Sequence, residues 1–207
     1  MRKQRLFAIT FLLLLSSMAW AQTGRDDQED GSSSENSEPT LSPSMKGFLI
    51  TAVEHGVAEV HLAEMATRRA ISGSVRSFAE VLMAECKRSN RELVAFAEER
   101  GVQISAENEA DNSEFAQVAD ELDHLSGGDF DMAYLEQMVH DCSIELRQFE
   151  HIAMYASDAD VRRFAARQVP ALQDRLRMAR QALRISEGQH SAQVTPFRSH
   201  PALVKIS

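Results

Sequence analysis

Four polar residues interrupt otherwise apolar helical stripes, and their types allow chemistry: Glu59, Cys86, Cys142 and Arg175. Each falls near the middle of a long amphipathic pattern. In a bundle of equal-length helices, mid-helix positions share one layer whatever the chain direction. The four side chains are therefore expected to meet, with Glu145 and His55 on the edges of the same stripes. A buried glutamate needs a partner, and Arg175 could offer it two parallel hydrogen bonds.

Three chemistries compete for that layer. The favoured expectation is a disulfide between Cys86 and Cys142. Bonding needs Cα atoms about 5.5 Å apart, closer than the roughly 8–10 Å between packed helix axes. Cysteines pointing inward from touching helices can close that gap. The loop it would close is long enough to stabilise the fold by roughly 3–4 kcal/mol. The alternative is a pair of buried free thiols acting as small hydrophobes.

The second chemistry is a dinuclear metal centre, which needs a lone Glu from two helices and Glu-x-x-His from the other two. Glu59 and Glu145 suit the first role. The two Glu-x-x-His runs, Glu121 to His124 and Glu187 to His190, fall outside the long helical patterns. His55 and Glu59, four apart, are left as a weak metal-binding pair, and no metal or other cofactor is expected. The third is thiol redox chemistry, which needs an exposed, electropositive thiol. Glu59, Glu85 and Asp141 oppose Arg175 there, and the chain has no Cys-x-x-Cys. No nucleophile–base pair and no Gly-rich phosphate loop stands out, so no catalytic residue is expected. His61, His140 and His151 lie off the stripe centres and read as solvated.

Four long helical patterns must position these residues. The first runs roughly 45–70, with Phe48, Ala52, His55, Glu59, Ala63, Ala66 and Ala70 on one face. The second runs roughly 75–100, with Ser74 as candidate N-cap and Gly101 as the stop. The third runs roughly 129–156 and the fourth roughly 159–186, where Pro170 predicts a kink. Short turns make each consecutive pair an antiparallel hairpin. The 28-residue connection from Gly101 to Gly128 is long enough to cross a bundle, and Glu114 to Leu125 can form a short helix within it. The expected fold is all-α: a ferritin-like four-helix bundle with a long crossover between the second and third long helices. An internal repeat agrees with two related hairpins. Val75-Arg76-Ser77-Phe78-Ala79 matches Val161-Arg162-Arg163-Phe164-Ala165 at an offset of 86, which also aligns Glu59 with Glu145.

The flanks read differently. Arg2, Lys3 and Arg5 precede the apolar run Leu6–Leu15 and the small-x-small site Ala19-Trp20-Ala21, the pattern of a signal peptide (1–21) cut before Gln22. Residues 22–43 hold six acids, one Arg and five Ser, the composition of a disordered linker. The bundle domain is placed at 44–187 and a flexible tail at 188–207. After cleavage no apolar stretch reaches membrane-spanning length, so the mature chain is not expected to be an integral membrane protein. With 31 acidic against 22 basic residues the net charge is −9, which argues against nucleic acid as a partner. Charge is also uneven: Gly101 to Glu145 holds twelve acids and no Lys or Arg, whereas Asp158 to Glu187 holds seven Arg against four acids. The favoured explanation is internal, with the acidic crossover lying near the fourth helix. The sharper one is a basic strip for an anionic partner such as an envelope surface.

The chain resembles a family of secreted, ferritin-like bacterial proteins grouped as domain of unknown function 4142. The resemblance covers about residues 46–184. It rests on Gly56-Val57-Ala58-Glu59-Val60, Phe78-Ala79-Glu80-Val81-Leu82-Met83, Phe130-Asp131-Met132-Ala133-Tyr134, Met138-Val139-His140-Asp141 and Pro170-Ala171-Leu172. It implies a periplasmic or secreted helical bundle with no established activity. Relatives commonly carry His after the acid in the second and third helices, and again in the fourth. Here those positions are Cys86, Cys142 and Arg175, so a histidine metal site is not carried over. Both departures to cysteine place the two positions near each other. The expected function is thus a non-enzymatic envelope protein with a structural or binding role, whose partner is an envelope component or a second copy of the chain. A link to stress rests on the resemblance alone. The alternative is a metal- or thiol-dependent redox protein with a mid-bundle site.

Overall fold

Ser42 starts the first helix: its hydroxyl accepts the Met45 N–H at 3.3 Å, and Pro43 occupies the first turn, where no N–H is needed. The computed structural model describes residues 41–104 and 113–194. The expected signal peptide, most of the acidic linker and the end of the tail lie outside these residues. Every regular element among them is helical: α1 Pro43–Arg69, α2 Gly73–Glu98, α3 Ser113–Asp123, α4 Gly127–Tyr155 and α5 Ala159–Val194. None is long and apolar enough to cross a membrane.

Helix ends follow local chemistry, with two differences from expectation. Gly101 does stop α2, with φ at 68° and the Val102 N–H reaching the Ala97 carbonyl at 3.0 Å. The start of α2, however, is capped at Ser72 rather than Ser74. The buried Asp131 carboxylate explains the shift. It accepts the N–H groups of Ile71 (3.2 Å) and Ser72 (2.8 Å), which sets the turn two residues earlier. At the other end, α5 continues past residue 187, through Gly188, to Val194. Pro170 lies inside it without ending it. Proline removes one backbone donor, but Ala166, whose carbonyl loses that donor, is exposed and can be solvated.

The connectors Ala70–Ser72 and Ala156–Asp158 make two hairpins, α1–α2 and α4–α5. They are built alike. Arg76 donates to the carbonyls of Ala70 and Ile71, and Arg162 donates to those of Ala156 and Ser157, the same positions 86 residues on. Helix α4 begins beside the α1–α2 turn, through Asp131. Helix α5 begins beside the end of α2, where Phe96 stacks on Phe164 at 4.2 Å and Arg100 pairs with Asp160 at 3.1 Å. The connection from α2 to α4 therefore returns the chain along the full helix length. Helix α1 also packs on α4, and α2 on α5, so the four long helices close a ring of antiparallel neighbours.

The described part of the crossover, α3, sits against α4 and α1. Val118 and Leu122 enter the apolar cluster there, and Phe115 meets His61 at 5.6 Å. Asp123 is paired by Arg69, whose guanidinium also donates to the carbonyls of Asp123 (3.1 Å) and Leu125 (2.7 Å) and lies 4.8 Å from the Phe130 ring centre. Glu145 of the acidic stretch pairs with Arg175 of α5, whereas among the described residues the acids of α3 do not reach the arginines of that helix.

Inside the ring lie two apolar clusters. One gathers Val60, Leu82, Phe130, Tyr134, Leu135 and Met138, and the other Leu49, Val53, Leu93, Phe149, Phe164 and Leu172. The level between them is polar.

Arg69 makes several charge-assisted bonds to one loop, so Arg69→Ala should cost about 1–2 kcal/mol. The loss should be local. Amide exchange at 120–126 should accelerate, while the mid-helix amides of α2 and α5 keep their protection.

Candidate functional site

The polar level is built from one residue or more on each long helix, and Arg175 of α5 is its centre. The side chain is 2% exposed. Its Nη1 donates to Glu145 Oε2 at 3.2 Å and to Glu59 Oε2 at 3.3 Å, and lies 3.4 Å from Cys86 Sγ. Its Nη2 donates to Ser89 Oγ at 3.3 Å. Cys86 in turn donates its S–H to Glu59 Oε2 at 3.0 Å, and Cys142 makes a longer contact to Glu59 Oε1 at 4.0 Å. The four residues expected to meet do so, and Glu145 joins them. His55 is half-buried at the edge of the layer. It lies close enough to Glu145 to draw its pKa down, but makes no hydrogen bond within the layer.

The expected disulfide is not formed: Cys86 and Cys142 are free, buried thiols. The reason is steric and electrostatic. The Glu59 carboxylate occupies the space between them, with one sulfur at each of its oxygens.

Gln168 from the buried stripe of α5, with Ser89 and Glu92 of α2, completes the network. Ser89 passes its own proton donor to Gln168 Oε1 at 3.2 Å, and Gln168 Nε2 donates to Glu92 Oε2 at 3.0 Å. Glu92 meets Arg88 at the surface at 3.2 Å, so a continuous polar path runs from Arg175 to solvent between α2 and α5. The 86-residue repeat holds the signal for Ser89, because the offset aligns Ser89 with Arg175 just as it aligns Glu59 with Glu145. Gly56 is the repeat partner of Cys142. A Cβ there would come within 1.9 Å of Asn90 Oδ1, so the glycine makes room for that carboxamide between α1 and α2.

The electrostatics follow from one cation facing two carboxylates. Burial pushes Glu145 up to about 7, with the Glu59 charge adding to the shift while Arg175 and His55 oppose it. Glu59 is also raised by burial, against the pull of Arg175 and the Cys86 hydrogen bond. Burial works against the charge on Arg175, but Glu145 and Glu59 outweigh it and hold the guanidinium protonated. Both thiols are pushed up, first by burial and then by Glu59, and Tyr134 follows for the same reasons. Burial thus favours the neutral form of both carboxyls, against the pull of the guanidinium between them. The thiols of the layer stay protonated, the opposite of what a nucleophilic or metal-ligating cysteine requires. Among the described residues no three His, Cys, Asp or Glu side chains are disposed to hold a metal ion. The centre that a cation would occupy is filled by the guanidinium.

Two outcomes are expected. Arg175→Met strands both carboxyls and should cost about 3–5 kcal/mol in urea unfolding. Combining it with Glu59→Gln and Glu145→Gln should recover most of that loss. The folded chain keeps a proton on Glu145 that the unfolded chain releases above its ordinary pKa near 4.5. This group's stabilisation is therefore complete below about pH 4.5 and is lost as pH rises through about 7. Thermal melts should show wild-type stability falling from pH 5 to pH 8, and a distinctly flatter profile for Glu145→Gln.

A solved structure, the crystal structure of a DUF305 fragment from Deinococcus radiodurans, is similar in fold with a TM-score of 0.56 at 19% identity. The match covers 70% of this chain and 98% of that one. No curated protein matches. The model of the family described as Domain of unknown function (DUF4142) matches residues 30–182, which include all four long-helix contributors to the polar layer. The chain belongs to the DUF4142 family.

Proposed function

We propose that the chain is an exported, non-enzymatic helical protein of the bacterial cell envelope, with a structural or binding role. In this reading the ring of long helices is a four-helix bundle with a ferritin-like crossover. The observation that carries it is the buried polar layer. Arg175, Glu59, Glu145, Cys86 and Cys142 are all buried and in contact with one another, with Arg175 Nε left without a partner among the described residues. A redox or metal-dependent enzyme at this level would need an approach to a thiol or carboxylate, and a thiol able to ionise. The polar path to solvent reaches Arg175 rather than a thiol or a carboxyl of the layer, and burial holds both thiols protonated. The layer's work is to fix which helices pair and at what register, as a buried polar set does when only one arrangement satisfies it. Export rests on the n-region, apolar run and Ala19-Trp20-Ala21 site at the N-terminus.

Two measurements test this reading. Fractionated cells should yield the chain outside the cytoplasm with Gln22 as its first residue. Recovery in the cytoplasm with Met1 retained would overturn the export. Native protein should resist a thiol reagent at pH 8 for hours, then titrate two thiols per chain in denaturant without reductant. A native thiol that reacts within seconds would instead favour a thiol-dependent activity.

A further inference from the structure

Helix α5 carries a row of arginines that the polar layer does not use. Arg177, Arg180 and Arg184 recur at intervals of three and four, so they stand on one helical face and span about 10 Å along the axis. All three are exposed, and together with Gln173, Leu146 of α4 and Leu176 they line a groove of about 280 Å³ between α4 and α5. Arg180 and Arg184 make no ion pair or hydrogen bond among the described residues. Arg177 pairs only with Asp174, at 2.9 Å on the exposed surface, an arrangement that solvent keeps weak. Asp123 of α3 is held by Arg69 of α1 and not by this row. Among the described residues the row is therefore compensated by Asp174 alone, in a chain whose net charge is −9.

We propose that this α4–α5 groove docks on a membrane surface through anionic phospholipid headgroups, with Arg177, Arg180 and Arg184 taking the phosphates. The inference rests on the reading of the chain as an envelope binding module and names the partner of that module. The guanidinium fork matches a phosphate and can bond it through two parallel N–H groups. A linear row on an open face suits several phosphates presented side by side, whereas one free phosphate would engage only part of it. The floor of Leu146 and Leu176, together with Ile185 (42% exposed) beside Arg184, supplies apolar surface next to the cations. That combination fits the boundary between headgroup and acyl chain. The remaining acidic surface repels the same membrane, so one orientation is selected and attraction is confined to short range.

The test uses the mature chain from Gln22 and vesicles of phosphatidylglycerol mixed with phosphatidylcholine, read by co-sedimentation. Wild type should bind these vesicles, release them as salt rises, and ignore pure phosphatidylcholine. Each arginine near an anionic surface contributes about fivefold in affinity, so R177Q/R180Q/R184Q should lose about 100-fold. The same change at Arg163 and Arg167, elsewhere on α5, should leave binding unchanged. Should the triple variant fail to melt like wild type, R180Q and R184Q singly keep the test open, since neither side chain has a partner to lose among the described residues. Wild type that ignores phosphatidylglycerol vesicles overturns the proposal, as does a triple variant that binds them equally well. Inorganic phosphate is titrated separately. Arginine-dependent phosphate binding without vesicle binding would also overturn it, and assign the groove to a free anion. None of these outcomes alters the export or thiol results, so the two readings fail independently.

Discussion

One buried guanidinium between two buried carboxyls is the constraint on which the rest of the structure depends. Neither Glu59 nor Glu145 can stand in an apolar interior alone, and neither can reach Arg175 unless α1, α4 and α5 are all in register. Ser89 and Cys86 add α2 to the same requirement. The apolar clusters on either side supply the driving force for collapse, but Leu, Val and Ala contacts tolerate sliding and repacking. The polar level does not. It converts a generally sticky ring of helices into one with a defined alignment.

The same constraint decides the fate of the cysteines. One carboxylate contacts both sulfurs, which stand as free thiols, and burial with nearby negative charge favours their protonated form. The layer is thus chemically quiet because of what it contains. Two thiols and two carboxyls in one layer would ordinarily invite a metal. Here the cation is covalently part of the chain.

Much of this was legible in the sequence because periodicity carries it. The breaks in the apolar stripes at Glu59, Cys86, Cys142 and Arg175 located the layer, and the length of the crossover indicated the return of the chain. The pairing of the sulfurs was not legible, since residue type says that two cysteines are near but not that a third side chain lies between them. Ser89 escaped because serine on a helix is usually solvated, and only the partner across the layer gives it a role. Asp131 escaped because its effect is on backbone N–H groups 60 residues away, in a turn with no long-range signature. The helix continuing beyond Gly188 defied local propensity. A glycine costs about 1 kcal/mol in a helix interior, less than a helix already propagating through more than seven turns can absorb.

The 86-residue repeat has a consequence for how such a layer could arise. Two separate, identical hairpins meeting on a twofold axis would present equal residues at equivalent positions, and so an even number of arginines. The present chain places Arg175 at one such position and Ser89 at the other, opposite the equivalent pair Glu59 and Glu145. Joining the hairpins through one crossover released the two halves from sequence identity. It allowed an odd charge at a symmetric centre. One guanidinium between two carboxyls is therefore a mark of a fold whose hairpin turns are built alike while its polar level is not.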